Sequence, residues 1–287
     1  MSSSPIYLDH HATTAVDPRV LDAMIPDFTE RFGNASSPVH AQGREARNAV
    51  EAARARVADL IDAAPDELVF TSGATESDNL ALLGTAIALE SKGKHLVSVC
   101  TEHRAVLEPL EALEQRGWQL TLLPVEPDGR VAPQRVAEAL TDETTLVSVM
   151  LANNEIGVVQ DLAAIGALAA ERGVVLHCDA AQGVGYLPLS VSELPVDLVS
   201  LSAHKMYGPK GVGALYVRRS RQRQGVPAPL FYGGGHQQGL RPGTLDVAGI
   251  VGFGAAAALM KAEGGEEAAR LRVLRDRFAG RLLDRID

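Results

Sequence analysis

Short apolar runs alternate with segments of helical spacing along this sequence, and this alternation restricts the fold more than any other feature. The helical segments repeat an apolar residue every three or four positions, whereas the runs between them are too short for helices. Strands are predicted at 68–70, 96–99, 120–125, 146–151 and 173–178, and helices at 44–61, 106–113, 133–140 and 162–171. This order favours a mostly parallel sheet flanked by helices, so we expect an α/β fold.

Composition narrows the class of protein further. The 287 residues are long enough for one large domain or two smaller ones, and a net charge of −9 argues against nucleic acid as a partner. The N-terminus has no basic or apolar signal region, and the longest weakly polar stretch, 248–260, is too short to span a bilayer. Cys100 and Cys178, the two cysteines, end strand-like runs and are expected to be buried and reduced. We therefore expect a cytoplasmic protein without a membrane partner.

Residues 199–217 carry the most distinctive chemistry of the chain. Ser202, His204 and Lys205 follow one strand-like run, and a glycine-rich turn then leads into a second run. A lysine beside a hydroxyl and an imidazole at a sheet edge loses its proton more readily, and its amine can then attack an aldehyde carbon. Taken alone, this lysine can equally be a solvated surface residue.

Asp179 follows the strand predicted at 173–178, and Gln182 comes three residues later. Pyridoxal phosphate (PLP) is held by a lysine and needs a carboxylate that keeps its pyridine nitrogen protonated. Ligands of open α/β sheets bind beyond the carboxyl ends of strands, where this aspartate falls. By itself Asp179 can also cap the next helix. Its combination with the 202–205 segment at the next strand end favours a PLP site.

Two further strand ends carry candidate residues. The strand at 68–70 leads through a turn of small residues into a helix, which is typical of a phosphate seat, although an ordinary capped helix has the same pattern. His103 follows the strand at 96–99 and can be a hydrogen bonder at a helix start. His10 and His11 are adjacent in an extended segment and point to opposite faces, so no metal site is expected.

Seven segments in this order resemble cysteine desulfurases of the NifS/IscS type, which are class-V aminotransferase-like PLP enzymes. The segments are YLDHHATT (7–14), FTSGATESDN (70–79), TEH (101–103), NNEIGVVQD (153–161), DAAQ (179–182), SAHK (202–205) and GGGH through RPGT (233–244). The resemblance implies a PLP-dependent transferase fold of the aspartate aminotransferase type, with PLP as the cofactor. It also implies that L-cysteine is converted to alanine and an enzyme-bound persulfide, for an iron–sulfur scaffold or a thiolation enzyme.

The resemblance assigns roles to individual residues. Lys205 would bind PLP and move the α-proton, and His103 would stack on the cofactor ring and shuttle protons. Thr244 would contact the phosphate of the neighbouring subunit, which implies a homodimer. The full set of cofactor-binding residues is then Ala74, Thr75, His103, Asn154, Asp179, Gln182, Ser202, His204, Lys205 and Thr244.

The domain organisation expected from the resemblance is an N-terminal arm (1–15), a large PLP domain (16–262) and the start of an incomplete small domain (263–287), with a helix break at Gly264 and Gly265. In the family the small domain supplies a catalytic cysteine and an arginine for the substrate carboxylate. Neither Cys100 nor Cys178 matches that cysteine, so the chain is expected to be a fragment. The alternatives are an aminotransferase or lyase that needs no cysteine, and a non-catalytic PLP-binding subunit completed by another chain.

Overall fold

The computed structural model describes residues 5–286 and is built around a seven-stranded sheet. The strands are β1 (Leu68–Thr71), β2 (His95–Val99), β3 (Gln119–Leu123), β4 (Thr144–Ser148), β5 (Val175–Asp179), β6 (Leu198–Ser202) and β7 (Gly213–Val217). Their order across the sheet is β1-β7-β6-β5-β4-β2-β3. Only β7 runs antiparallel to its neighbours, β1 and β6. The remaining pairs are parallel, so the carboxyl ends of six strands meet at one edge.

Helices cover both faces of this sheet. In chain order they are α1 (Pro18–Met24), α2 (Pro26–Thr29), α3 (Ala41–Leu60), α4 (Ala74–Leu89), α5 (Arg104–Glu114), α6 (Pro133–Ala139), α7 (Leu162–Glu171), α8 (Arg219–Arg223) and α9 (Val247–Leu283). One core cluster joins α4 and α5 to sheet residues such as Val69 and Leu146, and the other joins α3, α7 and α9 to residues such as Phe70 and Val147. Successive strand residues face opposite clusters, as the period of two requires. The expected α/β fold is confirmed, with most boundaries within three residues of the prediction.

The predicted helix break at Gly264 and Gly265 is wrong, because α9 continues through both residues. Gly264 permits a close approach instead: a Cβ there would lie 2.2 Å from the carbonyl oxygen of Gly185. A glycine within a helix costs only about 1 kcal/mol relative to alanine, which packing of a long helix can offset. The division into 1–15, 16–262 and 263–287 stays a prediction.

The first half of α9 is apolar enough to resemble a membrane span, but 67% of its most apolar window is buried inside the protein. It is therefore a core helix, packed against α3. Cys178 is buried as predicted, whereas the prediction for Cys100 is wrong, since this residue is exposed. Cys100 lies one residue beyond the end of β2, in the turn that follows the strand, and its side chain is no longer buried between the layers of helices.

Candidate active site

A cavity of about 740 Å³ opens at the carboxyl-end edge of the sheet. Such an edge is where open α/β folds bind ligands, because loops from several strands converge there. Nine of the ten predicted site residues line it: Ala74, Thr75, His103, Asn154, Asp179, Gln182, Ser202, His204 and Lys205. The tenth, Thr244, is exposed just before α9 and is not among the described lining residues. Whether each residue has its expected role stays a prediction.

Lys205 ends a short 3-10 turn, Ala203–Lys205, that directly follows β6. Its ammonium group donates a hydrogen bond to the carbonyl oxygen of His11, in the N-terminal segment. Burial lowers the pKa of Lys205, and the carboxylates of Asp179 and Asp9 oppose that shift only partly. A larger fraction of the neutral amine, the form that attacks carbonyl carbons, is therefore present than for a lysine in water.

Asp179 is the last residue of β5 and is almost fully buried at the floor of the cavity. Its Oδ1 accepts a hydrogen bond from the backbone N–H of Ala181 at 2.9 Å. Burial raises the pKa of Asp179 to about 7, and the nearby carboxyl group of Asp78 adds to the shift. Burial disfavours the ionised form of this carboxyl group, and a positively charged group next to it restores that form. The site therefore favours a ligand that places a cationic group beside Asp179.

The turn before α4 forms a seat for an anion. Gly73 has φ 148° and ψ 179°, and the helix begins at Ala74, so the first N–H groups of α4 have no partner within the helix. The turn also lies close to β7, since a Cβ on Gly213 would be 2.7 Å from the Cα of Gly73. A helix N-terminus attracts negative charge through these N–H groups and its dipole.

The two predicted histidines are held by different contacts. His103 is the N-cap of α5, and its Nδ1 accepts the backbone N–H of Ala105 at 3.1 Å, which leaves the proton on Nε2. The expected hydrogen bond at a helix start is present, and His103 also lines the cavity, whereas its stacking on a cofactor ring stays a prediction. Nδ1 of His204 lies 3.1 Å from Oγ1 of Thr13. Burial lowers the pKa of His204, and Lys205 and Lys210 lower it further, so this imidazole stays neutral.

Two uncharged amide side chains complete the rim of the cavity. Nε2 of Gln182 donates to the carbonyl oxygen of His11 at 2.9 Å, the same oxygen that Lys205 contacts. Nδ2 of Asn154 donates to Oε1 of Glu155 at 3.0 Å. Amides in these positions can orient a bound molecule without changing the charge of the site.

The chemistry of this set of groups fits PLP. Oγ of Ser202 is buried and has no hydrogen-bond partner among the described residues, which leaves it free for a phosphate oxygen beside the α4 N-terminus. Lys205 would hold the aldehyde, Asp179 the ring nitrogen, and His103 a face of the ring. Each functional group of the cofactor thus has a partner of suitable charge within one cavity.

Sequence reasoning missed four acidic or basic residues around this site. Glu76 and Asp78 of α4 line the cavity, and Glu102 is buried with its Oε1 2.6 Å from the backbone nitrogen of Met150. Nε2 of His177 lies 3.4 Å from Oδ1 of Asp78, and burial lowers the pKa of His177 to about 4. Its spacing in the sequence could have identified His177, because it lies two residues before Asp179 and so faces the same side of β5.

Comparison with known proteins agrees with this geometry. The class-V aminotransferase family matches residues 6–286. Cysteine desulfurase IscS of Anaeromyxobacter dehalogenans (strain 2CP-C) is 56% identical over 283 residues, which are 99% of this chain and 70% of that protein. The solved structure of a NifS-like protein superimposes with a TM-score of 0.93 at 39% identity, covering 97% of this chain and 76% of the other. The structure of SspA in complex with cysteine gives 0.84 at 41% identity, with 88% and 72% covered.

A fold and a site of this kind define a PLP-dependent transferase. The chain belongs to the class-V aminotransferase family. Enzymes of this family, including the NifS and IscS proteins, depend on pyridoxal phosphate.

Proposed function

We propose that this protein is a cysteine desulfurase, which uses PLP to remove sulfur from L-cysteine. The products are alanine and sulfur held as a persulfide. The observation that carries the proposal is that Lys205, Asp179 and the α4 N-terminus line one cavity. The relatives named cysteine desulfurase IscS, and the related structure that contains cysteine, support this choice of substrate.

Bound PLP supplies an electron sink that stabilises negative charge on the Cα atom of an amino acid. Lys205 removes and returns the α-proton, a role supported by its lowered pKa. Asp179 would hold a proton on the ring nitrogen of bound PLP, and His103, whose Nδ1 accepts the N–H of Ala105, would offer its Nε2 proton in the same cavity. Burial of Asp179 and Ser202 limits water access, which strengthens these electrostatic contacts.

Neither cysteine of this chain is assigned as the thiol that receives the sulfur. Cys178 is buried in β5, and burial raises its pKa well above the usual range, so little thiolate forms. Cys100 is exposed but is not among the described residues that line the cavity. We assign the persulfide to a thiol outside these two positions. An iron–sulfur scaffold or a thiolation enzyme then takes up the sulfur. We place this transfer in the cytoplasm, a reducing compartment that keeps free cysteines such as Cys100 and Cys178 reduced.

The function is tested by the products formed from L-cysteine. The protein is loaded with PLP and incubated with L-cysteine and excess dithiothreitol. This dithiol supplies the acceptor thiol that neither Cys100 nor Cys178 provides, and its second thiol then releases the sulfur as sulfide. We expect sulfide and alanine in equal amounts, because each cysteine that loses sulfur leaves one alanine. A keto acid without sulfide would identify an aminotransferase or lyase instead. Bound PLP with no product at all would identify a binding subunit, and both results contradict the proposal.

We also infer that the protein is a homodimer. Thr244 is exposed just before α9 begins, after a loop rich in glycines, where it is accessible to a second copy. We expect the PLP-loaded protein to sediment as a dimer. We also expect Thr244→Val to weaken PLP binding roughly 10- to 150-fold, since hydrogen bonds to a charged group contribute about 1.5–3 kcal/mol. Analytical ultracentrifugation and PLP titration measure both. A PLP-saturated monomer would contradict the dimer.

A further inference from the structure

Glu76 places a carboxylate in the seat that would take the phosphate of PLP. It is the third residue of α4, directly after Ala74 and Thr75, and it lines the same cavity. Its Oε2 accepts the backbone N–H of Ser72 at 2.6 Å, which holds the turn before the helix. An isolated carboxylate here would repel a phosphate and would weaken the positive electrostatic potential at the helix N-terminus.

Arg241 forms a two-point contact with this carboxylate. Its Nε lies 2.8 Å from Oε1 of Glu76, and its Nη2 lies 3.2 Å from Oε2. The two side chains are only 23% and 17% exposed, so water and salt screen the pair weakly. Burial pushes the pKa of Glu76 upward, but the hydrogen bonds from Arg241 and Ser72 outweigh it and leave the pKa below its usual value. Glu76 is therefore ionised.

The origin of Arg241 in the chain matters as much as its charge. It lies 165 residues after Glu76, in the loop that connects the glycines at 233–235 to α9, and it is not among the described cavity-lining residues. Arg241 reaches the seat only through Glu76. The charge of the seat thus depends on whether this loop is docked against α4.

We propose that Arg241 is a positioning residue for the phosphate of the cofactor: it neutralises Glu76 and keeps this carboxylate on the Ser72 turn, so that the α4 N-terminus can accept a dianion. The inference rests on the proposed PLP site. It goes beyond that proposal because it makes the affinity for phosphate depend on the loop that carries Arg241. Its particular consequence is selectivity. Loss of Arg241 weakens binding of ligands that carry a phosphate and leaves unphosphorylated ligands unaffected.

The test compares PLP with pyridoxal, which has the same ring and aldehyde but no phosphate. Dissociation constants are measured for the wild type, Arg241→Gln, Glu76→Gln and the double variant, with Arg272→Gln, an exposed arginine on α9, as the control. We expect Arg241→Gln to weaken PLP binding about tenfold, because a carboxylate without its partner remains in the seat. The affinity for pyridoxal stays the same, and the double variant regains the PLP affinity. Inorganic phosphate should compete with PLP less well in Arg241→Gln.

Three results would overturn the inference. Equal losses for PLP and pyridoxal would show that Arg241 only supports the fold, and an unchanged PLP affinity would show that it does not act on the seat. If the double variant bound PLP as weakly as Arg241→Gln does, the electrostatic explanation would be wrong. Arg241→Lys, which keeps the charge, provides a second variant if glutamine destabilises the loop, and it should retain most of the PLP selectivity. Failure of the wild type to bind PLP would refute the proposed function itself, a different outcome from the first three.

Discussion

Replacement of Lys205 with alanine is expected to abolish the covalent attachment of PLP. The lysine amine lines the cavity and has a lowered pKa, so it supplies the neutral nucleophile that an aldehyde requires. The variant has no other amine at that position. It also loses the base that moves the α-proton, and positioned bases contribute roughly 10²–10⁴-fold to the rate of proton transfer. Exchange of the α-proton of L-cysteine with deuterium should slow by a factor of that order.

Two measurements check this expectation. Borohydride reduction followed by mass spectrometry reports the adduct, which should fall from one per chain to none, and proton NMR in D₂O reports the exchange. Lys94→Ala is the matched control, because this lysine is exposed on the surface and, within residues 5–286, forms an ion pair only with Glu90. A full-strength adduct in Lys205→Ala would mean that another lysine binds the cofactor, and the assignment of the site would then be wrong.

Replacement of Asp179 with asparagine should retain bound PLP but slow α-proton exchange by roughly 10²–10³-fold, the cost of removing one preorganised electrostatic partner. Asparagine keeps an oxygen that can accept the N–H of Ala181, so the local geometry is maintained. It has no negative charge, however, and cannot stabilise a proton on the ring nitrogen. The exchange rate and the absorption spectrum of the bound cofactor measure the effect. Exchange at the wild-type rate would exclude this role for Asp179.

The same variant gives a readout that does not depend on the cofactor. The pKa of Asp179 is raised to about 7 in the folded protein, from 3.8 for an ordinary aspartate. A raised pKa in the folded state means that its contribution to stability is complete below about pH 4 and is lost as the pH rises through 7. Asp179→Asn should therefore lose less unfolding free energy between pH 4 and 7 than the wild type.

Urea unfolding of the PLP-free proteins at several pH values measures this difference. Asp78, with a pKa also raised to about 7 by burial, contributes with the same sign in both proteins, and His177 with the opposite sign. Both groups interact electrostatically with Asp179, so the difference between the two pH profiles reports the titration of Asp179 together with its coupling to them. Identical pH profiles for the two proteins would show that ionisation of Asp179 does not lower the unfolding free energy, which would contradict its raised pKa.

Much of the fold could be predicted because its strands and helices have strong local periodicity. The short, mostly apolar run of β5 and the spacing of three and four in α3 identify these elements without knowledge of their partners. The candidate residues Asp179 and Lys205 could be found for the same reason, since each comes directly after a strand. Parallel strands then bring their ends to one edge of the sheet.

The errors concern features that depend on packing. Gly264 and Gly265 predict a break from local propensity alone, but the backbone of Gly185 packs against the first of them and the helix continues. Cys100 ends an apolar run like that of Cys178, yet it emerges at the edge of the sheet. No periodicity in the sequence distinguishes these two environments.

The sequence by itself determined the alternation of strands and helices, the family and the residues that end each strand, because these features are encoded by neighbours in the chain. Tertiary structure alone decided which titratable side chains meet. Glu76 and Arg241 are 165 residues apart, and Asp78 lies across a core interface from His177. Their interaction energies depend on distance and burial, and only the folded arrangement of α4 against β5 and the 233–243 loop sets these quantities.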